Sequence, residues 1–273
     1  MQQEYQTYIE AGRATRLYLK DIWEYRELFW ILAKRDILVR YKQTVIGIAW
    51  AVIQPLMTLV VFTVVFGKIA GLPSGGVPYI LMVLAGTLVW QFFSSTVNSG
   101  GNSVISNEKL ISKVYFPRII IPTSAMVVHF VDFLISCGIA VVLFAWKMYL
   151  PGWRIIFVPF FLLLCAMLGL GVSYFVASLN VKYRDFRYIV PFVVQAGLYL
   201  SPVGFSISSI PGKWQMIYSL NPMVGVIEGM RWCLFGSSLP MFALVSTVIW
   251  AIVLLFGGFW MFRRMETEFA DFI

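Results

Sequence analysis

The stretch from Asn107 to Pro122 reads NEKLISKVYFPRIIIP and separates two long apolar runs. Its basic and polar residues make it too polar to enter a bilayer, and it is too short to be a domain. Of the 273 residues in the chain, 60% are hydrophobic and 12% are charged, and the mean hydropathy is +0.81. A soluble core does not use that much apolar surface. The stretch is therefore predicted to be a loop of an all-α, polytopic membrane protein, exposed to a partner.

Six apolar runs flank this loop and are predicted to be transmembrane helices, each of which needs about 20 apolar residues. They are Val45–Ala70, Tyr79–Val97, Ile119–Trp146, Ile155–Leu179, Ile189–Phe205 and Leu239–Phe262. The fifth run is short and ends in Ser201-Pro202. Residues 203–236 after it are apolar but broken by prolines and glycines. We expect them to form two short half-helices that dip into the outer leaflet before the last span.

The basic residues predict the orientation of these spans. Sixteen of the 21 Lys and Arg residues fall in residues 1–45, in the second-to-third and fourth-to-fifth loops, and in the tail. The positive-inside rule places these segments, and both termini, in the cytoplasm. The same placement explains the net charge of +8 without a nucleic-acid partner. Residues 1–44 are then a cytoplasmic N-terminus, residues 45–262 the membrane domain and residues 263–273 a cytoplasmic tail.

The segment Leu17–Lys42 precedes the first span and mixes charged with aromatic residues. Ile22, Tyr25, Phe29 and Leu32 recur in it at helical spacing. This pattern predicts an amphipathic helix that lies in the cytoplasmic interface, with its Trp and Phe side chains towards the bilayer. The alternative is a simple polar stop before the first span.

Several kinds of chemistry have no motif in the sequence. Gly67-Lys68 and Gly212-Lys213 lack the upstream glycine and the following Ser or Thr of a Walker A loop, so we expect no ATP hydrolysis by this chain. The chain has one histidine, and Cys137, Cys165 and Cys233 lack metal-ligand spacing. We therefore expect no metal site and no enzymatic activity.

Four stretches carry a resemblance to a known family. They are RYKQTVIGIAWAVIQPL at Arg40–Leu56, VWQFF at Val89–Phe93, KVYFPRIIIP at Lys113–Pro122, and residues 183–232, which begin YRDFRYIVPF and end GMRW. Together they resemble the permease subunit of ABC-2-type polysaccharide exporters, which move O-antigen, capsule and teichoic-acid polymers. The SPVGFS tract at residues 201–206 is most similar to the O-antigen branch.

The resemblance implies how such a protein works. It implies a homodimer in the bacterial inner membrane, paired with two copies of a separate ATPase subunit that binds ATP and Mg²⁺. It implies a cargo of undecaprenyl-diphosphate-linked glycan, such as O-antigen. No cofactor in this chain and no nucleic acid are implied, and membrane lipids surround it.

The resemblance also implies two contact sites for the ATPase on the cytoplasmic loops. The first is a coupling helix at Asn107–Val114, in which Lys109 and Lys113 present a basic face. Its residues are Asn107, Lys109, Leu110, Ile111, Lys113 and Val114, and Leu110, Ile111 and Val114 are suited to a hydrophobic groove. The second is the shorter segment Tyr183-Arg184-Asp185, for which a helix-capping turn is the alternative.

Aromatic rings cover the apolar faces of sugars well, so aromatic stripes in the spans are candidates for a polysaccharide channel. They are Trp50 in the first span, Trp90, Phe92 and Phe93 in the second, and Phe192, Gln195 and Tyr199 in the fifth. The alternative for each is packing, or a position in the aromatic belt of the membrane.

Four ionisable residues have competing interpretations. Arg40 and Lys42, before the first span, are candidates to bind a diphosphate at headgroup level, and the positive-inside rule also explains them. His129 and Asp132 form a polar pair, three residues apart in the third span. Three interpretations remain for the pair: a structural hydrogen bond, a contact to cargo, or a proton relay.

Two alternatives to a polysaccharide exporter follow from these residues. One is an ABC-2 permease for a drug or a small lipid. The other is a proton-coupled secondary transporter built on His129 and Asp132, which the absence of a visible internal repeat does not favour.

Overall fold

The computed structural model describes residues 15–42, 45–267 and 269, and among them the side chains of Tyr18 and of residues 20–42, 52–267 and 269. The described residues form helices and no strand, as the sequence predicts. The α-helices are α1 (Thr15–Glu24), α2 (Arg26–Lys42), α3 (Val45–Phe62), α4 (Tyr79–Ser106), α5 (Glu108–Ile111), α6 (Ile120–Trp146), α7 (Val158–Lys182), α8 (Phe186–Leu200), α9 (Gly212–Tyr218), α10 (Pro222–Phe235) and α11 (Met241–Glu266). A π-helical segment, Thr63–Ile69, continues α3, and the 3-10 turns Trp153–Phe157 and Ile207–Ser209 complete the structure.

Five helices are long and apolar enough to cross a membrane. They span Val52–Ile69, Tyr79–Ser106, Ile120–Trp146, Trp153–Lys182 and Met241–Glu266. The chain is thus a multi-pass membrane protein. Helix α8, which overlaps the fifth predicted span, has only 15 residues, or about 22 Å, against a hydrocarbon thickness of about 30 Å. The chain after it stays buried at Ser201 and Val203, and the carbonyl of Gly204 accepts a hydrogen bond from Tyr79. A sixth crossing stays a prediction.

Helices α4 and α7 form the centre of the bundle, with α6 against α4 and α11 against α7. Small residues let the backbones approach closely, as is common where membrane helices pack. At the contact of α7 with α11, a Cβ added to Gly171 would lie 2.5 Å from the carbonyl carbon of Leu254, and one added to Gly258 would lie 2.3 Å from the carbonyl oxygen of Gly171. The two helices can therefore pack this closely only because glycines stand there.

Helices α1, α2 and α5 and the last turn of α11 lie at one end of the bundle, called the basic end here. A separate apolar cluster packs between them. Ile22, Tyr25, Phe29 and Leu32, the helical stripe seen in the sequence, pack into this cluster. Trp23 and Trp30 point away from it and are 70% and 63% exposed. The predicted apolar stripe is thus used by the protein's own core. The position of α1 and α2 in a membrane interface stays a prediction.

The tract before the last span forms the two half-helices that the sequence predicts, α9 and α10, at the end of the bundle opposite the basic end. Helix α10 packs against α11, α4 and α7. It ends at Gly236, whose φ of 71° is the left-handed conformation that glycine adopts at helix ends. Arg154 donates to the carbonyl of Gly236 at 2.9 Å. Cys233 is a buried residue of α10.

Candidate functional site

A groove between α3, α4 and α8 is lined by neutral polar side chains. It has a volume of about 300 Å³. The polar residues that line it are Gln54 and Thr58 from α3, Thr87, Gln91, Ser94, Ser95 and Asn98 from α4, and Gln195 from α8. Those of α4 recur three or four residues apart and so share one face of the helix. Polar groups inside the span of a membrane helix are costly and usually face a cavity or a partner, which makes this face a candidate functional surface.

The aromatic residues predicted to line a channel divide into two groups. Trp90 lines the groove together with Gln195, and Phe93 packs on Trp90 with ring centroids 5.5 Å apart. Phe92 is buried against Phe130 and Phe133. The groove therefore combines aromatic with polar surface.

Phe192 and Tyr199, the predicted aromatic residues of α8, do not line the groove of this single chain. Phe192 is 74% exposed, and Tyr199 is exposed and stacks on Phe62 at 6.1 Å. The face of α8 that lines the groove carries Pro191, Val194, Gln195 and Leu198 instead. Trp50 belongs to α3, but its side chain lies outside the described residues.

The predicted polar pair of α6 belongs to a larger cluster. His129 Nδ1 lies 3.2 Å from Asp132 Oδ2, and Arg40 Nη2 lies 2.8 Å from the same oxygen. The hydroxyl of Tyr41 donates to Asp132 Oδ1. Burial, and then the hydrogen bond to Asp132, raise the pKa of Tyr41 to about 12, so Tyr41 remains a donor at neutral pH. The sequence suggested no acid or base near the pair, because Arg40 and Tyr41 stand some 90 residues away.

This contact changes the expectation for the two basic residues before the first span. Arg40 is in contact with a carboxylate that offsets its charge. Lys42 is the last residue of α2 and is exposed. A phosphate group can therefore reach Lys42 freely, whereas at Arg40 it would compete with Asp132.

The predicted coupling segment is a short helix with turns on either side, rather than a helix from Asn107 to Val114. Helix α5 covers Glu108–Ile111 only. Lys109, Lys113 and Val114 are exposed, as is Tyr115 beyond them. Asn107 accepts a hydrogen bond from Arg35 Nη2 at 2.9 Å and so connects α2 with the end of α4.

Two apolar residues predicted to enter a partner's groove face inward instead. Ile111 is 7% exposed, and Leu110, which is half-buried, packs against the same apolar cluster at the basic end. Val114 and Tyr115 are the apolar residues of this segment that remain exposed, and they line a cavity of about 390 Å³ with Lys113, Arg118 and Phe269. A partner would therefore meet Val114 and Tyr115, flanked by basic side chains.

A half-buried carboxylate, that of Glu266, holds this segment to the rest of the basic end. Glu266 Oε1 accepts the backbone N–H of Arg118 at 2.7 Å, and Glu266 Oε2 accepts the hydroxyl of Tyr18 at 2.8 Å. Arg118 Nη1 also donates to the backbone carbonyl of Glu266. Burial, and then the neighbouring carboxylate, raise the pKa of Tyr18. The three contacts join α1, the segment before α6 and the end of α11, and no motif in the sequence indicated them.

The second predicted contact segment, Tyr183–Asp185, is exposed and leads into α8. Asp185 occupies the position before the first residue of α8 but makes no side-chain capping bond. Arg184 lines a cavity of about 350 Å³ together with Arg187, Tyr188 and Glu108 of α5. The two segments predicted to contact an ATPase thus lie beside each other at the basic end.

A fully buried ion pair stands in α10. Arg231 Nη1 lies 3.0 Å from Glu228 Oε1, and each side chain is 3% exposed. Arg231 also donates to the carbonyls of Phe205 at 2.8 Å and Val203 at 2.9 Å. The same Glu228 oxygen accepts the backbone N–H of Ile207. Arg231 thus holds the irregular chain after α8 in place.

Within the described residues no group of His, Cys, Asp and Glu side chains is arranged to hold a metal ion.

Comparison with known proteins connects this architecture to a family. Residues 27–235 match the model of the ABC-2 type transporter family. The chain is 26% identical over 258 residues to "O-antigen export system permease protein RfbA" of Myxococcus xanthus, covering 93% of this chain and 98% of that protein. It is 25% identical to a protein of the same name from Klebsiella pneumoniae, over 90% and 95% of the two chains. It is 21% identical to "Polysialic acid transport protein KpsM" of Escherichia coli, over 85% and 91%. The family match covers most of the chain, including α2 to α10, and the chain belongs to the ABC-2 type transporter family as a transport membrane subunit.

Proposed function

We propose that this chain is the permease subunit of an ATP-driven exporter that moves a polysaccharide of the O-antigen type, linked to a lipid diphosphate, across the bacterial inner membrane. Two copies would form the membrane pore, and two copies of a separate ATPase would bind ATP and Mg²⁺. The relatives that match over almost the whole chain carry names of O-antigen export permeases, which supports this cargo over a drug or a small lipid.

The observation that carries the proposal is the polar groove between α3, α4 and α8. A sugar chain presents many hydroxyl groups, and each needs a hydrogen-bond partner when water is removed. The groove offers amides and hydroxyls, such as Gln54, Gln91 and Gln195, and the aromatic face of Trp90. Neutral side chains of this kind suit a long neutral polymer, because they bind each unit weakly and let it move on.

The surfaces beside the groove support a paired arrangement. Ile53 and Met57 of α3 are exposed, as are Phe192 and Tyr199 of α8. A second copy packed against these faces would convert an open groove into an enclosed path. Phe192 and Tyr199 would then line that path, or its dimer interface, from the side that a single chain leaves open.

The basic end supports a separate ATPase as the source of energy. Lys109, Lys113, Val114 and Tyr115 expose a basic and apolar surface, and Tyr183–Asp185 lies beside it. Docking on this end would let the ATPase push on α4 and α6 through the loop that joins them. The orientation that places this end, with both termini, in the cytoplasm follows from the distribution of basic residues.

The proposal is tested by deleting the gene in its own host and measuring the polymer on the cell surface and inside the cell. We expect lipid-linked polymer to accumulate inside and to disappear from the surface. The wild-type gene should restore export, and the variant Gln91→Leu/Gln195→Leu should restore much less at equal protein level in the membrane. Normal surface polymer in the deletion strain would contradict the proposal.

A biochemical test addresses the energy source. The protein purified alone should not hydrolyse ATP, and a separate ATPase should purify with it in equal numbers. Hydrolysis by the isolated chain, or export without the ATPase, would contradict an ATP-driven mechanism.

A further inference from the structure

His129 has one ring nitrogen in a hydrogen bond and one without a partner. Nδ1 faces Asp132 Oδ2 at 3.2 Å. Nε2 is buried and has no hydrogen-bond partner among the described residues, and the His129 residue is 6% exposed. A buried polar atom without a hydrogen-bond partner destabilises a protein and calls for an explanation.

His129 lines a small cavity that adjoins the polar groove. The cavity has a volume of about 20 Å³, enough for one water-sized group. Gln54, Gln91 and Ser95 line both this cavity and the groove. A glycan chain bound in the groove would therefore lie next to the cavity that His129 lines.

The hydrogen-bond partner of His129 Nδ1 determines whether Nε2 acts as a donor or as an acceptor. Asp132 is a carboxylate paired with Arg40, and a carboxylate only accepts hydrogen bonds. In the neutral imidazole, Nδ1 must then carry the proton, which leaves a lone pair on Nε2. The group that fits Nε2 is a hydrogen-bond donor about the size of one hydroxyl.

We propose that His129, held in this orientation by Asp132, binds a hydroxyl group of the glycan at the wall of the groove. The inference rests on the proposed function and adds a specific contact to it. Gln54, Gln91 and Ser95 surround the same cavity and supply further donors and acceptors for that hydroxyl. Asp132 is a positioning residue here, because it acts on the glycan through His129.

Two other ligands fit the cavity less well. In the neutral imidazole, Nε2 has no proton to donate to a phosphate group, and the positive charge of Arg40 is offset by Asp132. A proton relay would need a second titratable group beyond Nε2. Apart from Arg40 and the pair itself, the cavity is lined by amides, hydroxyls and apolar side chains. A hydroxyl is the chemistry that the cavity matches.

The first experiment measures export in cells. His129→Phe, which keeps a ring but removes both nitrogens, should reduce surface polymer several-fold. His129→Gln, whose amide can still contact Asp132 and accept a hydrogen bond, should recover part of that loss. Protein level and ATPase turnover serve as controls, because a purely structural role would lower both in parallel. Equal export by His129→Phe and wild type would overturn the inference and leave the proposed function intact.

The second experiment uses the fact that the chain has a single histidine. The chain is labelled with ¹⁵N-histidine, purified with a tag that contains no histidine, and assembled in nanodiscs with unlabelled ATPase. Only His129 then gives a signal. We expect Nε2 to resonate as an unprotonated acceptor at pH 7.5 and to shift on addition of maltoheptaose, a neutral linear oligosaccharide.

Two matched measurements complete the test. Sodium diphosphate, as the anionic probe, should shift the Nε2 signal much less than maltoheptaose. In Asp132→Asn the preference for the Nδ1–H tautomer should weaken. A protonated Nε2 in the wild type, no shift with maltoheptaose, or a shift with diphosphate of equal size would overturn the inference.

Discussion

Arg40 Nη2 lies 2.8 Å from Asp132 Oδ2, which joins the end of α2 to the middle of α6. The two residues stand on opposite sides of the first predicted span in the sequence, yet they meet beside the polar groove. Helix α2 and the segment that leads into α6 both lie at the basic end of the protein, so this contact connects two elements that extend from that end. Its strength should therefore matter for stability as well as for export.

The first prediction concerns this ion pair. Asp132→Asn should leave Arg40 without its counter-ion and destabilise the protein by about 1–3 kcal/mol. That is less than the 3–5 kcal/mol of a fully buried pair, because the Arg40 side chain is 40% exposed. Arg40→Gln should have a similar effect, and the double variant should cost less than the sum of the two. Thermal unfolding in detergent measures all three, and strict additivity would contradict a direct interaction.

The second prediction concerns the contact of α7 with α11. Gly171→Ala places a methyl group against the backbone of Leu254, with a contact near 2.5 Å. Such overpacking typically costs about 1–3 kcal/mol, so we expect a lower melting temperature and less protein in the membrane. Gly138→Ala is the matched control, because it lies within α6 and a Cβ there meets no heavy atom within 4 Å. Equal stability of the two variants would show that the helices can separate freely.

The third prediction concerns Arg231 and Glu228. Arg231→Met should destabilise the protein by about 3–5 kcal/mol, because it leaves a buried carboxylate unpaired and removes donors from the carbonyls of Val203 and Phe205. Arg231→Met/Glu228→Leu removes both charges and should recover part of the stability. Size-exclusion chromatography after heating provides the measurement. A double variant less stable than Arg231→Met would mean that Glu228 stabilises the protein mainly by accepting the backbone N–H of Ile207.

Much of the helical architecture could be predicted from the sequence because a bilayer requires long apolar runs. Five predicted spans correspond to helices of sufficient length, and the prolines and glycines of residues 203–236 predicted the two half-helices. Helix α8 is shorter than its predicted span because Ser201-Pro202 ends the helix while the chain continues, buried, in an irregular form.

The site was less predictable, because its contacts join residues far apart in sequence. The spacing of His129 and Asp132 predicted that they share a face, but nothing in it indicated Arg40 and Tyr41. The sequence predicted aromatic residues as sugar ligands, whereas the groove is lined mainly by amide and hydroxyl side chains. The recurrence of Gln91, Ser94, Ser95 and Asn98 every three or four residues within a predicted membrane span was the available signal.

The last prediction concerns the coupling segment. Lys109 and Lys113 are exposed at the basic end, and Val114 and Tyr115 form an apolar surface beside them. Lys109→Glu/Lys113→Glu should reduce export several-fold, because the new negative charges would repel an acidic ATPase surface that the lysines attract. Val114→Ser/Tyr115→Ser should act in the same direction by removing the apolar contact.

Neither change should lower the amount of protein in the membrane, because all four side chains point away from the core. Lys213→Glu is the matched control: Lys213 is equally exposed but belongs to α9 at the opposite end. Recovery of the ATPase with the permease, ATPase turnover and surface polymer are measured together. If the lysine variant retained the ATPase and exported as much polymer as Lys213→Glu, the docking surface would have to lie elsewhere, with Tyr183–Asp185 as the next candidate.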